Sequence, residues 1–175
     1  MGYPDQAVQR CKESLALANE LSHPFTIAWA LHHTAITYQM RRDRGPALQH
    51  ERMALELATE QEFPFWIAQA KITCGGEIVR EGQVEEGLQS IEQGLAMHRA
   101  MGADIGSTYW LSLRAEAYAK KGLQEQSLQS LDEALALLKK SKEMLWEADL
   151  YRLKGDIRVV RISVRKYTLR GFRLV

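Results

Sequence analysis

The sequence predicts an all-α fold, a right-handed superhelical solenoid of antiparallel helix hairpins with a period of about 40 residues. The first reason is that the 175-residue chain aligns with itself at an offset of 40 without gaps, apolar residue on apolar residue. The second is that apolar residues within one period are spaced as on a helix face, too widely for a strand. One column of the self-alignment holds Leu15, Leu55, Leu95 and Leu135, and one helical stripe holds Leu128, Leu131, Leu135 and Leu138.

Proline and glycine divide each period into two helices. A proline in the first turn of a helix costs no hydrogen bond, because that amide has no intrahelical acceptor. Gly82 and Gly122 lie where a helix would end in a left-handed residue, and Ser22 and Asp104 are candidate N-caps. The prolines that precede helical runs are Pro4, Pro24, Pro46 and Pro64. The predicted helices are 4–21, 24–42, 46–62, 64–81, 84–101, 105–121, 124–141 and 143–160.

Small residues also recur at this period, which indicates places where two helices approach closely. Two such columns hold Ala7, Ala47, Gly87 and Ser127, and Ala35, Gly75, Ala115 and Gly155.

The residues from Leu111 to Leu135 resemble the tetratricopeptide repeat (TPR), a helical hairpin with apolar, small, aromatic and glycine residues at fixed offsets. The matching residues are Leu111, Ala115, Tyr118, Gly122, Ser127 and Ala134. The resemblance covers residues 1–157, but the period is 40 rather than about 34, and Arg114 stands where the motif has leucine. The phrases at 133–137 and 146–155 are similar to long-helix arrays that lie C-terminal in bacterial signal-transduction ATPase, nucleotide cyclase-like and regulator proteins.

This resemblance implies a non-enzymatic protein-protein interaction or regulatory module without a cofactor, as a segment of such a larger signalling protein. A small-ligand sensor domain of a transcriptional regulator is an alternative, in which Trp29, His32, Tyr109 and Arg80 would contact the ligand. A third alternative is a structural spacer or dimerisation arm.

Function is expected in a groove lined by the first helix of each hairpin. If the column of Ala35, Gly75, Ala115 and Gly155 marks the packed side, the groove positions follow one residue later and at helical steps. They are Trp29, His32, Ile36, Gln39 and Met40; Gln69, Ile72, Gly76 and Arg80; Tyr109, Ser112, Glu116 and Lys120; and Asp149, Arg152 and Asp156. The Lys/Asn set that clamps a peptide's terminal carboxylate in chaperone-binding members of the family resembled is missing from these positions.

Both ends of the chain interrupt a hairpin, so we expect residues 1–160 to be part of a longer array. The alternative is a complete chain that forms a homodimer through its uncapped terminal helices, which would bury their apolar faces. Residues 161–175 are predicted to be a basic tail, disordered or weakly ordered, because the repeat pattern is lost there. Residues 159–165 alternate as a strand would, but no partner strand is in reach. The alternatives are that the segment continues the last helix briefly before the basic arm, or that it is not native to the array.

Charge argues against nucleic acid as the main partner. Lys and Arg number 23 against 22 Asp and Glu. Six basic residues and no acidic one follow Asp156, so residues 1–156 carry a net charge of −5. A short basic tail would bind nucleic acid weakly. The sequence has neither a membrane span nor a signal peptide at its start, so a cytoplasmic location without membrane contact is predicted.

No arrangement of residues predicts catalysis or a metal site. His32 and His33 are adjacent and point about a hundred degrees apart on a helix, so we expect one to pack and the other to face outward. Glu51 is expected on a solvated face, as are Glu56 and Glu60. Cys11 and Cys74 fit neither a disulfide framework nor a zinc site, and are expected to be reduced thiols in the core.

Overall fold

The computed structural model describes residues 3–142 and 144–171. Within these residues every regular element is a helix, and no strand is present. The helices are α1 (Pro4–Glu20), α2 (Pro24–Arg41), α3 (Arg44–Glu60), α4 (Pro64–Arg80), α5 (Val84–Ala100), α6 (Ser107–Lys120), α7 (Gln124–Ser141) and α8 (Glu147–Gly171), with a short 3-10 turn at Met144–Trp146. The predicted all-α fold of helix hairpins is therefore confirmed.

Local sequence explains most helix ends. Pro4, Pro24 and Pro64 open α1, α2 and α4, where their fixed φ suits the first turn. Gly82 follows α4 with φ +99°, a conformation that glycine adopts without steric cost. The N-cap of α2 is His23, whose Nδ1 accepts a hydrogen bond from the Thr26 amide at 3.3 Å.

Three predicted helix starts are corrected by the structure. Ser22 is not an N-cap: it adopts φ +49° in the turn after α1. Asp104 is not one either, because Gly106 precedes α6. The third helix begins at Arg44, two residues before Pro46, so this proline lies inside the first turn, where the amide still has no intrahelical acceptor.

The chain divides into two compact units, Met1–Asp104 and Ile105–Val175. In the first unit, α4 and α5 are the most extensively packed pair. A Cβ atom added at Gly87 would lie 2.5 Å from the carbonyl oxygen of Gly75, and one added at Gly94 would lie 2.5 Å from that of Ala68. The small-residue columns therefore allow the two backbones to approach closely.

The second unit packs α7 against α6 and α8 around one apolar cluster. The stripe on α7 predicted to face inward is largely buried, and Leu131 and Leu138 are its least accessible residues. Ser127 stands in a small-residue column, and its hydroxyl donates a hydrogen bond of 2.7 Å to the Ala115 carbonyl on α6. The cluster consists of Leu111, Ala115, Leu131, Ala134, Leu135, Leu138, Leu150 and Ile157.

The last helix is longer than predicted. It was expected to end at residue 160, and its backbone is helical through Gly171. The strand-like alternation of residues 159–165 therefore lies on a helix, which satisfies its backbone hydrogen bonds locally where a strand would need a partner. The predicted boundary between repeat segment and tail falls inside α8, and residues 172–175 of the predicted tail lie outside the described residues. No helix in the described ranges is both long and apolar enough to cross a membrane.

Candidate functional site

The predicted groove residues of the first unit divide into buried and accessible sets. Trp29 and Met40 on α2 are exposed, and Ile36 on α2 and Arg80 on α4 are partly buried. Five others have almost no accessible surface, because neighbouring helices cover their face of α2 or α4. These buried residues are His32, Gln39, Gln69, Ile72 and Gly76. In this structure a partner can therefore reach Trp29 and Met40 on α2 far more readily than His32 and Gln39.

In the second unit the predicted groove residues are mostly polar and accessible. Lys120, Asp149, Arg152 and Asp156 are exposed, and Ser112 and Glu116 are partly buried. Arg152 bridges two turns of α8, with its Nε 3.3 Å from Asp149 Oδ1 and its Nη1 3.1 Å from Asp156 Oδ2. Its charge is therefore balanced on its own helix.

Tyr109 is buried at the start of α6. Its ring stacks on Trp146 at a centroid distance of 4.2 Å and an interplanar angle of 17°. A partner could reach little of this tyrosine in the present structure. The partner-binding role of all sixteen predicted groove residues stays a prediction.

A buried contact between a histidine and a glutamate lies inside the first unit, between α2 and α3. His32 Nδ1 is 2.8 Å from Glu51 Oε1, and both side chains are at most 2% exposed. The prediction that Glu51 lies on a solvated face is wrong. In the 40-residue register, Glu51 occupies the column of Ile91 and Leu131, which are core residues of later hairpins. The packing of α2 on α3 and α4 therefore encloses polar side chains where the repeat elsewhere places hydrocarbon.

Aromatic rings surround this pair. The His32 ring lies 5.6 Å from the ring of Trp66, and His33 stacks on Trp29 at 4.4 Å. As expected, one adjacent histidine packs and the other faces outward. The His33 ring faces outward, but the rings of Trp29 and Trp66 partly desolvate it, which lowers its pKa. The neighbouring His32 lowers this pKa further, against the opposing effects of the hydrogen bond to the Trp29 carbonyl and of Glu51. His33 is therefore held towards its neutral form.

A second buried carboxylate, Glu77 on α4, pairs with Arg80 at 2.6 Å. Cys74 lies on the same helix, three residues before Glu77. Its burial, with Glu51 and Glu77 nearby, raises the pKa of the thiol to about 12 against the opposing effect of Arg52. The thiol is therefore protonated at neutral pH and a poor nucleophile. Among the described residues, no group of three His, Cys, Asp or Glu side chains could hold a metal ion.

Arg114, the departure from the repeat motif, joins α6 to α7. Its Nε donates to Ser130 Oγ at 3.0 Å, and its Nη2 donates to Glu133 Oε2 at 2.6 Å. The guanidinium therefore holds a hairpin together by charge-assisted hydrogen bonds at the position where the motif uses leucine.

Sequence reasoning missed an exposed apolar patch on the α1–α2 hairpin. The patch consists of Leu17 and Leu21 before the turn and Phe25 and Trp29 after it, each 43 to 64% exposed. The Phe25 ring packs edge-on against Trp66, 5.4 Å between centroids, so it is anchored on one side and open on the other. The signal available in the sequence was the absence of any Lys or Arg between residues 14 and 40.

No family model and no curated protein matches the sequence. Solved structures do match. The chain is similar to the apo form of RapI, with a TM-score of 0.67 and 14% identity over 94% of this chain and 62% of that one. It is similar to Bacillus thuringiensis PlcR in complex with the peptide PapR7 and DNA, with a TM-score of 0.63 and 16% identity over 90% of this chain and 61% of that one.

The chain is also similar to the nearly identical TPR-like repeats of a Podosopora anserina putative kinesin light chain. That match has a TM-score of 0.56 and 16% identity, and covers 96% of this chain and 88% of the other. The chain spans about three fifths of the length of RapI and PlcR. At these identities the likeness concerns the fold alone, which is similar to that of TPR-like arrays of helix hairpins.

Proposed function

We propose that the chain is a non-enzymatic regulatory module that binds a protein or peptide partner. The observation that carries this proposal is the TPR-like array of helix hairpins, which presents an extended surface for recognition. The similar structure of PlcR was determined with a peptide, which supports a partner of that class. The buried, protonated thiol of Cys74 and the paired carboxylates of Glu51 and Glu77 are consistent with structural rather than catalytic roles.

We also propose that the chain is a segment of a larger signalling protein with an ATPase or nucleotide cyclase-like domain. This rests on the sequence resemblance and on the partial coverage of RapI and PlcR. Reading the coding sequence upstream tests it: an in-frame ATPase or cyclase domain supports the proposal, and a stop codon directly before Met1 overturns it.

The binding proposal is tested with the immobilised chain. We expect it to retain a specific protein from a lysate of its own cells, and Trp29→Ala to weaken binding of that purified protein at least about tenfold, as for an exposed aromatic anchor. Met53→Ala is the matched control, because Met53 is exposed to the same degree on α3 and lies outside the predicted groove. Equal affinities for the wild type and both variants would contradict a groove that includes Trp29.

A small-ligand sensor is the second candidate. Its supporting observation is a set of buried polar atoms in the first unit that lack a hydrogen-bond partner among the described residues: Glu51 Oε2, Trp66 Nε1, Glu77 Oε2 and His98 Nε2. Such atoms cost free energy unless something pairs with them. A rise in melting temperature of several degrees with one metabolite of a panel, without capture of any protein, would favour the sensor.

A further inference from the structure

The end of the first unit that carries the apolar patch is acidic. Residues 14–40 and 53–70 contain four carboxylates and no Lys or Arg. The four are Glu20, Glu56, Glu60 and Glu62, and all are exposed. In the part of the chain that the structure describes, none of these four forms an ion pair, whereas Glu13 pairs with Arg10 at 2.7 Å. Their negative charge is therefore available to a partner.

Helix direction brings the carboxylates and the apolar patch to the same end of the unit. Glu20 is the last residue of α1 and Glu60 the last of α3, and α2 begins at this end with Pro24. The negative poles at the C-terminal ends of α1 and α3 are opposed by the positive poles where α2 and α4 begin, so the negative field comes from the carboxylates. Near the end of α5, Arg99 and Asp104 carry opposite charges, so this part of the chain adds no net formal charge. The result is an apolar surface inside a negative field.

The shape and charge of this end fit a particular chemistry. The leucine and phenylalanine side chains of the patch would be removed from water by aliphatic or aromatic groups of a partner, which is favourable. Lys and Arg side chains of a partner would bring both an apolar stem and a cationic head. The exposed face of the Trp29 and His33 stack can also take a cation, which the negative quadrupole of an indole ring attracts. An acidic peptide or a nucleic acid would be repelled by the four carboxylates.

We propose that the α1–α2 patch and its acidic border dock a helical protein segment. Its apolar side chains recur at helical spacing, and Lys or Arg side chains lie between them. This deepens the proposed function and rests on it, because it gives the chemical class of the partner. The apolar patch supplies buried area, and Glu20 and Glu60 select for positive charge.

The test uses the full chain and a synthetic 14-residue peptide of Leu and Lys at helical spacing, with fluorescence anisotropy as the readout. We expect saturable binding that weakens on raising the salt concentration, since exposed charges are screened. The Glu20→Lys/Glu60→Lys variant should lose at least about tenfold in affinity, and so should Trp29→Ala. The same peptide with Glu in place of Lys should not bind.

The matched control is Glu81→Lys/Glu86→Lys, which changes the net charge equally at exposed sites away from the apolar patch. It should change the affinity less than about threefold. Equal losses in both charge variants, or full affinity in Trp29→Ala, would overturn the proposal, provided that circular dichroism shows all variants folded. Self-association without peptide that disappears in Glu20→Lys/Glu60→Lys would also overturn it, in favour of a second copy of the chain as the occupant.

Capture of a cellular protein distinguishes failure of this docking surface from failure of the proposed binding function. If Glu20→Lys/Glu60→Lys retains the same protein from a lysate as strongly as the wild type does, the chain is a binding module but this docking surface is wrong. If neither retains a protein and the basic peptide also fails to bind, the proposed function fails with it.

Discussion

His32 Nδ1 and Glu51 Oε1 lie 2.8 Å apart in the interior of the first unit, at positions that the next hairpin fills with Ile72 and Ile91. A buried pair of this kind costs desolvation free energy that its attraction offsets only in part. The other oxygen of Glu51 has no hydrogen-bond partner among the described residues, which adds to that cost. We therefore expect the pair to add little net stability to the packing of α2 on α3.

Replacing Glu51 alone should lower the free energy of unfolding much more than replacing His32 and Glu51 together. We expect Glu51→Ala to lower the free energy of unfolding by about 3–5 kcal/mol, because it leaves the His32 ring buried without its acceptor. His32→Leu/Glu51→Leu should be neutral or stabilising by up to about 4 kcal/mol. Urea unfolding measures both variants, and a double variant clearly less stable than the wild type would show that the pair has a favourable net effect.

Close backbone approach between α4 and α5 predicts a sharp difference between two glycines. Gly87→Ala should cost about 1–3 kcal/mol or more, because the new Cβ would meet the Gly75 carbonyl at 2.5 Å. Gly45→Ala on α3 is the control: nothing lies within 4 Å of its Cβ position, so alanine should stabilise by about 0.4–1 kcal/mol. Equal shifts in melting temperature would contradict the close approach.

The apolar stripe of α7 predicts which truncations matter in the second unit. Leu131 is fully buried, so Leu131→Ala should cost about 2–5 kcal/mol through lost burial and a residual cavity. Gln129 is exposed two residues earlier, and Gln129→Ala should change stability by less than about 0.5 kcal/mol. Chemical denaturation of the two variants compares them directly, and similar costs would mean that the stripe faces another direction.

Stability should fall in mild acid because of His98. Burial lowers the pKa of this histidine, against the opposing effects of Asp104 and of a hydrogen bond to the Ala103 backbone. Below about pH 6.5 the unfolded state takes up the proton more readily than the folded state does, so stability is full above that pH and is lost as the pH decreases.

His98→Leu should make the melting temperature less dependent on pH between about 5 and 7.5. Leucine is the natural choice because Leu138 fills the same column one period later and is buried there. His33, whose pKa is also lowered, remains in this variant and leaves part of the dependence. An unchanged slope of melting temperature against pH would contradict the assignment to His98.

Much of the fold follows from the sequence alone. The 40-residue period, prolines at helix starts such as Pro24 and Pro64, and glycines such as Gly82 with positive φ specify where helices begin and end. These signals are local: each depends on the conformation of a few neighbouring residues or on a regular apolar stripe. The close contact at Gly87 could also be anticipated, because a column without large side chains indicates close packing.

Tertiary structure alone decided which side chains of α2, α3 and α4 are covered. Glu51 was predicted to be solvated and is buried against His32, and Ile72 was predicted to line a groove and lies in the interior. Leu17 repeats a column whose later members are partly buried, yet it is exposed on α1. A period identifies the face to which a residue belongs, but burial depends on how many neighbouring helices lie over that face, and this number differs from one hairpin to the next.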